Sequence, residues 1–131
     1  MTPPMVSVVV PVWGDGALVA GQVARLGGAI DRIEWVIAAV GAGNELRGLE
    51  REGKIRLVEC RAPSRGGQMN AGAAAARGRL LCFHHADSEM LPGHLIALAG
   101  VAADGAARWG AFHRRFDNRR QIGRASCRER V

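Results

Sequence analysis

The chain has 131 residues, enough for one domain with a core of its own and not for two. It is 48% hydrophobic with 18 Gly and no Tyr, which suits a globular protein packed from small residues, and no apolar run is long enough to suggest a membrane span. The formal charge of +6 sits at one end: residues 113–131 hold seven Arg and two acids, leaving +1 for residues 1–112, so the basic stretch reads as a solvated tail and no nucleic-acid partner is expected.

The opening M-T-P-P-M-V-S-V-V-V-P lacks a basic n-region and a small-residue cleavage site, so no signal peptide is expected. Val6 to Val12 is β-branched and almost continuously apolar, the pattern of a strand covered on both faces, and Pro11 near its end marks where pairing stops. Trp13-Gly14-Asp15-Gly16 turns the chain, with Asp15 as a cap for a helix whose stripe is Leu18, Val19, Gln22, Val23 and Leu26. A second strand is predicted over Glu34 to Val40, a short helix over Glu45 to Glu52 and a third strand over Ile55 to Glu59. Arg61 to Gly67 reads as a loop, Gln68 to Arg77 as an Ala-rich helix and Arg79 to His84 as a fourth strand. Leu91-Pro92-Gly93 opens a helix to about Ala103, and Trp109 to Phe116 has the alternation of a further strand. The last stretch, Q-I-G-R-A-S-C-R-E-R-V, has no periodicity and no core face; residues 1–120 are taken as the domain and 121–131 as a non-native or disordered tail.

Cys60, Cys82 and Cys127 form no C-x-x-C and no metal-ligand spacing, which suits buried thiols in a reducing, cytoplasmic compartment. Successive strand–helix units imply a mostly parallel α/β sheet with helices on its faces, and ligands of such sheets bind outside the carboxyl ends of the strands. Three stretches meet at those ends: Pro11 to Asp15, Val40 to Asn44 and His84 to Ser88.

Asp87 follows the fourth strand, where a carboxylate either binds a hard divalent cation or caps the next helix. His85 shares its face on an extended strand, whereas His84 points the other way, into the core. No second cluster completes a zinc site around the two histidines. Arg65 to Gly72, R-G-G-Q-M-N-A-G, offers glycines, amides and a guanidinium ahead of a helix, suited to an anion or serving simply as a turn; it lacks the Gly-Lys-Ser/Thr ending of a Walker A loop.

Together these stretches resemble family 2 glycosyltransferases of the GT-A, Rossmann-like fold. Ser7 to Asp15, S-V-V-V-P-V-W-G-D, is similar to the family's first strand and its Pro-x-aromatic-x-acid turn. Ser64 to Ser88 is similar to a bacterial subgroup with Q-M-N-x-G followed by H-A-D-T/S, and Trp109-Gly110-Ala111-Phe112 to that subgroup's next strand. The resemblance implies a mostly parallel sheet with helices on both faces, truncated at its C-terminal side. It implies Pro11, Trp13 and Asp15 lining a nucleotide pocket, Gln68 and Asn70 near a nucleoside diphosphate sugar, and Asp87 as the Mg²⁺ or Mn²⁺ and diphosphate residue; Arg65, from the anion-suited stretch, and His85, from the face it shares with Asp87, complete the candidate donor-binding set. The implied reaction is metal-assisted, inverting glycosyl transfer to an unknown acceptor, compatible with peripheral membrane association. Two positions depart from the family: Ala39 stands where an Asp reads the nucleotide, which shifts that task to Asn44 or Glu45, and the general base falls beyond this chain. A non-catalytic nucleotide-sugar-binding domain and a nucleotidyltransferase are the competing readings, the second lacking the basic loop it needs after the first strand.

Overall fold

The β-branched run V-S-V-V-V-P-V-W forms β1 (Val6–Trp13) in a computed structural model that describes residues 4–14, 16–28, 32–104 and 110–111. It is followed by α1 (Gly16–Leu26), β2 (Ile33–Val40), α2 (Asn44–Arg51), β3 (Arg56–Cys60), α3 (Arg65–Ala75), β4 (Leu80–Phe83) and α4 (Pro92–Asp104). The strands form one parallel sheet in the order β3-β2-β1-β4, with Val6 opposite both Ile33 and Leu80 and Val36 opposite Arg56.

Alternation in β1 and β2 assigns each side chain to one of two helical layers. Val6, Val8, Val10, Val12, Trp35, Ile37 and Ala39 join Val19, Val23 and Leu26 of α1, Leu46 of α2, and Leu95 and Ala102 of α4 in one core. Val9, Val36 and Ala38 face α3 on the other side, where a Cβ at Gly72 would come within 2.5 Å of the Val9 Cγ1. Glycine at that position lets α3 lie directly on the sheet. No helix among the described residues is long and apolar enough to cross a membrane.

Pro11 ends pairing on one side of β1 only. Pairing with β2 continues to Trp13 opposite Val40, but on the β4 side the last bond runs from the His84 N–H to the Val9 carbonyl, at 2.9 Å. The next rung of a parallel ladder would need the N–H that proline lacks, so the chain leaves the sheet after His84.

At the amino ends of the strands, the buried carboxylate of Glu34 on β2 gathers partners from every neighbouring segment. It accepts from the Ser7 hydroxyl of β1 at 2.7 Å, from Arg56 Nε of β3 at 3.3 Å, and from the Arg77 amide and Nε at 2.8 and 3.0 Å. Ser7 Oγ in turn accepts from the Gly78 amide at 2.8 Å. A Cβ on Gly78 would lie 2.7 Å from the Ser7 backbone nitrogen, so the turn before β4 closes onto β1 only as glycine. Burial alone pushes the Glu34 carboxyl up, but the Arg77 amide, the Ser7 hydroxyl and the two guanidinium groups outweigh it and hold it below the ordinary range.

Several expectations shift. α3 starts at Arg65, not Gln68, because the Ser64 hydroxyl caps it by accepting from the Gly67 amide at 3.1 Å, so Arg65 to Gly72 is helix and not loop. Leu18, expected in the α1 stripe, is 51% exposed and off its core face. Gly110 and Ala111 lie in neither helix nor strand; the rest of the predicted Trp109–Phe116 strand, the Asp15 cap and the 121–131 tail lie outside the described residues.

Gly72→Ala is expected to destabilise the chain by about 1–3 kcal/mol, since Val9 is stiff and has no room to retreat. Gly66→Ala, with nothing near its Cβ, should be neutral or stabilise by up to about 1 kcal/mol; urea titration of both variants compares them. With its folded pKa lowered, Glu34 contributes stability above the ordinary glutamate range that is lost as pH falls through the folded value. Acid titration of Glu34→Gln should lack that component.

Candidate functional site

All four strands run parallel, so their carboxyl ends share one edge of the sheet. The chain turns sharply there: Gly14 after β1 and Gly41 after β2 both have positive φ, +79° and +71°. Two depressions open on this edge.

The first, about 290 Å³, is lined by Pro11, Val12 and Trp13 of β1, Pro63 and Ser64 before α3, and Arg65 and Gln68 of α3. Trp13 is 69% exposed, an aromatic side chain left beside the hollow and outside the core. Gln68 is buried, and its amide is fully engaged. Nε2 donates to the Val12 carbonyl at 3.0 Å and the Ala38 carbonyl at 2.8 Å, while Oε1 accepts from the Ser64 amide at 3.1 Å. This bond and the Ser64 cap are reciprocal, a variant of the capping box with the glutamine one residue later. Gln68 thus ties β1, β2 and the start of α3 together and fixes the floor of the hollow. The positive end of α3 and the Arg65 guanidinium both stand at its rim.

The second depression, about 350 Å³, lies between α1 and the segment after β4, lined by Leu18, Gly21, Gln22 and Arg25 on one side and Asp87, Ser88 and Glu89 on the other. Asp87 is exposed, in a turn closed by the Ser88 amide donating to the His85 carbonyl at 3.0 Å. Gln22 donates to the Ala86 and Ser88 carbonyls at 2.8 and 3.2 Å, and its Oε1 is 2.7 Å from His84 Nε2. An amide oxygen only accepts, so His84 carries its proton on Nε2. Burial and the neighbouring His85 push the His84 pKa down to about 4, so its ring is neutral, buried and committed to Gln22. As expected from strand alternation, His84 belongs to the interior.

Pro11, Trp13, Arg65 and Gln68 thus meet in one hollow and Asp87 lines the other. Asn70 is exposed on α3 and His85 is half-buried, and neither is among the residues lining these depressions; Asp15 lies outside the described residues. Ala39 is fully buried, whereas Asn44 and Glu45 are exposed at the start of α2. Sequence reasoning did not single out Gln22 as more than a stripe position. The available signal was an amide set in an otherwise apolar helix stripe, which needs polar partners inside. Among the described residues no three His, Cys, Asp or Glu side chains come together as a metal cluster. Burial pushes the Cys82 thiol up to about 11, which leaves it inert.

The family model described as "Glycosyl transferase family 2" matches residues 41–131, so Pro11 and Trp13 fall before the matched range. A search of curated proteins gives no match. Among solved structures, the crystal structure of S. aureus TarS 1–349 aligns with a TM-score of 0.62 at 15% identity, over 76% of this chain and 32% of that one. That likeness is one of fold, a GT-A sheet, and the chain spans about a third of the TarS structure.

A histidine whose folded pKa lies below its unfolded value stabilises the neutral fold above the unfolded pKa, and the contribution drains away as pH falls from 6.5 toward 4. Stability should therefore drop by no more than about 3 kcal/mol across that window, ahead of the Glu34 component. Urea titration at pH 7 and pH 4.5, with NMR titration of the His84 ring, checks this; a ring that protonates near 6.5 contradicts it.

Proposed function

Because the chain belongs to glycosyl transferase family 2, we propose that it binds a nucleoside diphosphate sugar and serves the transfer of its sugar to an acceptor. The observation that carries this reading is the first depression: an exposed indole, a guanidinium and a helix N-terminus around one hollow at the carboxyl edge of a parallel sheet. Trp13 offers a face for the base to stack on, with Pro11 lining the same hollow. Arg65 and the amino end of α3 attract the diphosphate. Gln68 shapes the floor through its three backbone bonds and leaves recognition to its neighbours. With Ala39 in the place of an acid, Asn44 and Glu45 are the polar groups nearest the end of β2 in sequence that remain exposed to read the base.

The donor chemistry around Asp87 fits a hard divalent cation. Asp87, Ser88 and Glu89 present oxygen atoms across the hollow from Arg25, and the His84 imidazole is occupied by Gln22. Asp87 is the residue that would hold Mg²⁺ or Mn²⁺. When bound, the cation neutralises charge that gathers on the departing diphosphate. In the transfer the acceptor hydroxyl oxygen would bond to the anomeric carbon as its bond to the diphosphate breaks, inverting that centre, and the hydroxyl proton would pass to a general base.

Calorimetric titration with UDP or GDP in the presence and absence of Mn²⁺ tests the reading. Binding should strengthen with metal, Asp87→Ala should abolish the metal-dependent part, and Trp13→Ala should weaken the remainder about tenfold, the loss of one good stacking contact. Heat indifferent both to metal and to Asp87 overturns the assignment.

A further inference from the structure

Asp87 sits on a segment that has left the sheet. The β1–β4 ladder ends at the bond from the His84 amide to Val9, and Pro11 provides no further rung. Beyond the burial of Ala86 and Met90 in the core, one side chain from another element bonds to the segment at three points. Gln22 of α1 directs every polar atom of its amide at residues 84–88: Nε2 to the carbonyls on either side of Asp87, Ala86 at 2.8 Å and Ser88 at 3.2 Å, and Oε1 to the His84 ring at 2.7 Å. Gln22 is 7% exposed and His84 7% exposed, so water does not replace these bonds readily. Two carbonyls clamped at positions 86 and 88 orient the intervening residue outward, and Asp87 is exposed between buried Ala86 and the α1 surface.

We propose that Gln22 is a positioning residue: it fixes the turn that presents the Asp87 carboxylate, doing for the end of β4 what strand pairing does elsewhere. Its importance for ligand binding rests on the reading of Asp87 given above. Glutamine suits the task because the amide supplies two donors and one acceptor from one planar group, and the segment asks for that set. Glutamate would retain the acceptor and lose the donors; methionine would fill the volume and lose both.

Hydrogen exchange and Mn²⁺-induced broadening, read by NMR on the full chain, separate the inference from the reading beneath it. In ligand-free Gln22→Met the Ser88 amide, bonded to the His85 carbonyl, should exchange at least tenfold faster, and the His84 ring nitrogens should lose their fixed tautomer signature. Gly72→Ala, destabilised on the opposite face of the sheet, serves as control and should retain that tautomer signature. With Mn²⁺ alone, the wild-type Asp87 and Ser88 signals should broaden first, Asp87→Ala should lose that selectivity, and Gln22→Met should need at least tenfold more metal. Unchanged Ser88 exchange and an unchanged His84 signature in Gln22→Met overturn the inference whatever the metal does. Unselective broadening in the wild-type protein overturns the Asp87 reading alone.

Discussion

A carboxylate buried under a sheet is costly unless it is surrounded by partners, and Glu34 is the charge on which this fold turns. Meeting its requirements recruits Ser7 from β1, Arg56 from β3 and Arg77 from the turn that leads into β4. All four strands are thereby held in register at their amino ends by one residue and its partners. The arrangement leaves no slack: Gly78 reaches Ser7 only without a side chain, and removing any partner leaves the anion under-satisfied in a buried place. The opposite edge of the sheet is organised by neutral groups. There Gln68 and Gln22 bond to backbone carbonyls, and the charged side chains of Arg65, Arg25 and Asp87 are left facing outward into the two hollows. Structural charge at one end and structural amides at the other keep the ionic chemistry of the carboxyl edge available for a ligand.

The sheet was legible because its signal is local and redundant. Val6 to Val10 and Glu34 to Ala39 are buried on both faces, and such strands announce themselves by largely apolar, β-branched runs. The start of α3 is hard to read from sequence because two glycines in its first turn mask the Ser64 cap, whose amide donates in return to the Gln68 side-chain oxygen four residues on. Pro11 was placed at the end of pairing, and that holds toward β4 only; which neighbour a proline fails is set by the sheet order, which no local pattern carries.

The candidate site was legible in part for the same reason. Pro11, Trp13, Arg65 and Gln68 come together because the end of β1 and the first turn of α3 meet at one edge of the sheet, a consequence of parallel topology. Motif resemblance adds Asn70 to the set and strand alternation adds His85, and neither lines the described hollows. Gln22 escaped notice because its partners are backbone carbonyls more than sixty residues away, as the separations of 64 and 66 show. Backbone acceptors have no sequence identity, so a side chain that serves them leaves only the trace of a polar residue in an apolar stripe.

The strand order has a consequence for the time course of assembly. β1 is first in the chain yet central in the sheet, and its β4 partner begins at Leu80, opposite Val6. During synthesis β2 and β3 can dock while one flank of β1 stays open, and Glu34 lacks its Arg77 partner until the turn at Gly78 has emerged. The pairing of β1 with β4 thus spans more than seventy residues of chain, and it waits on the same turn that brings Glu34 its Arg77 partner.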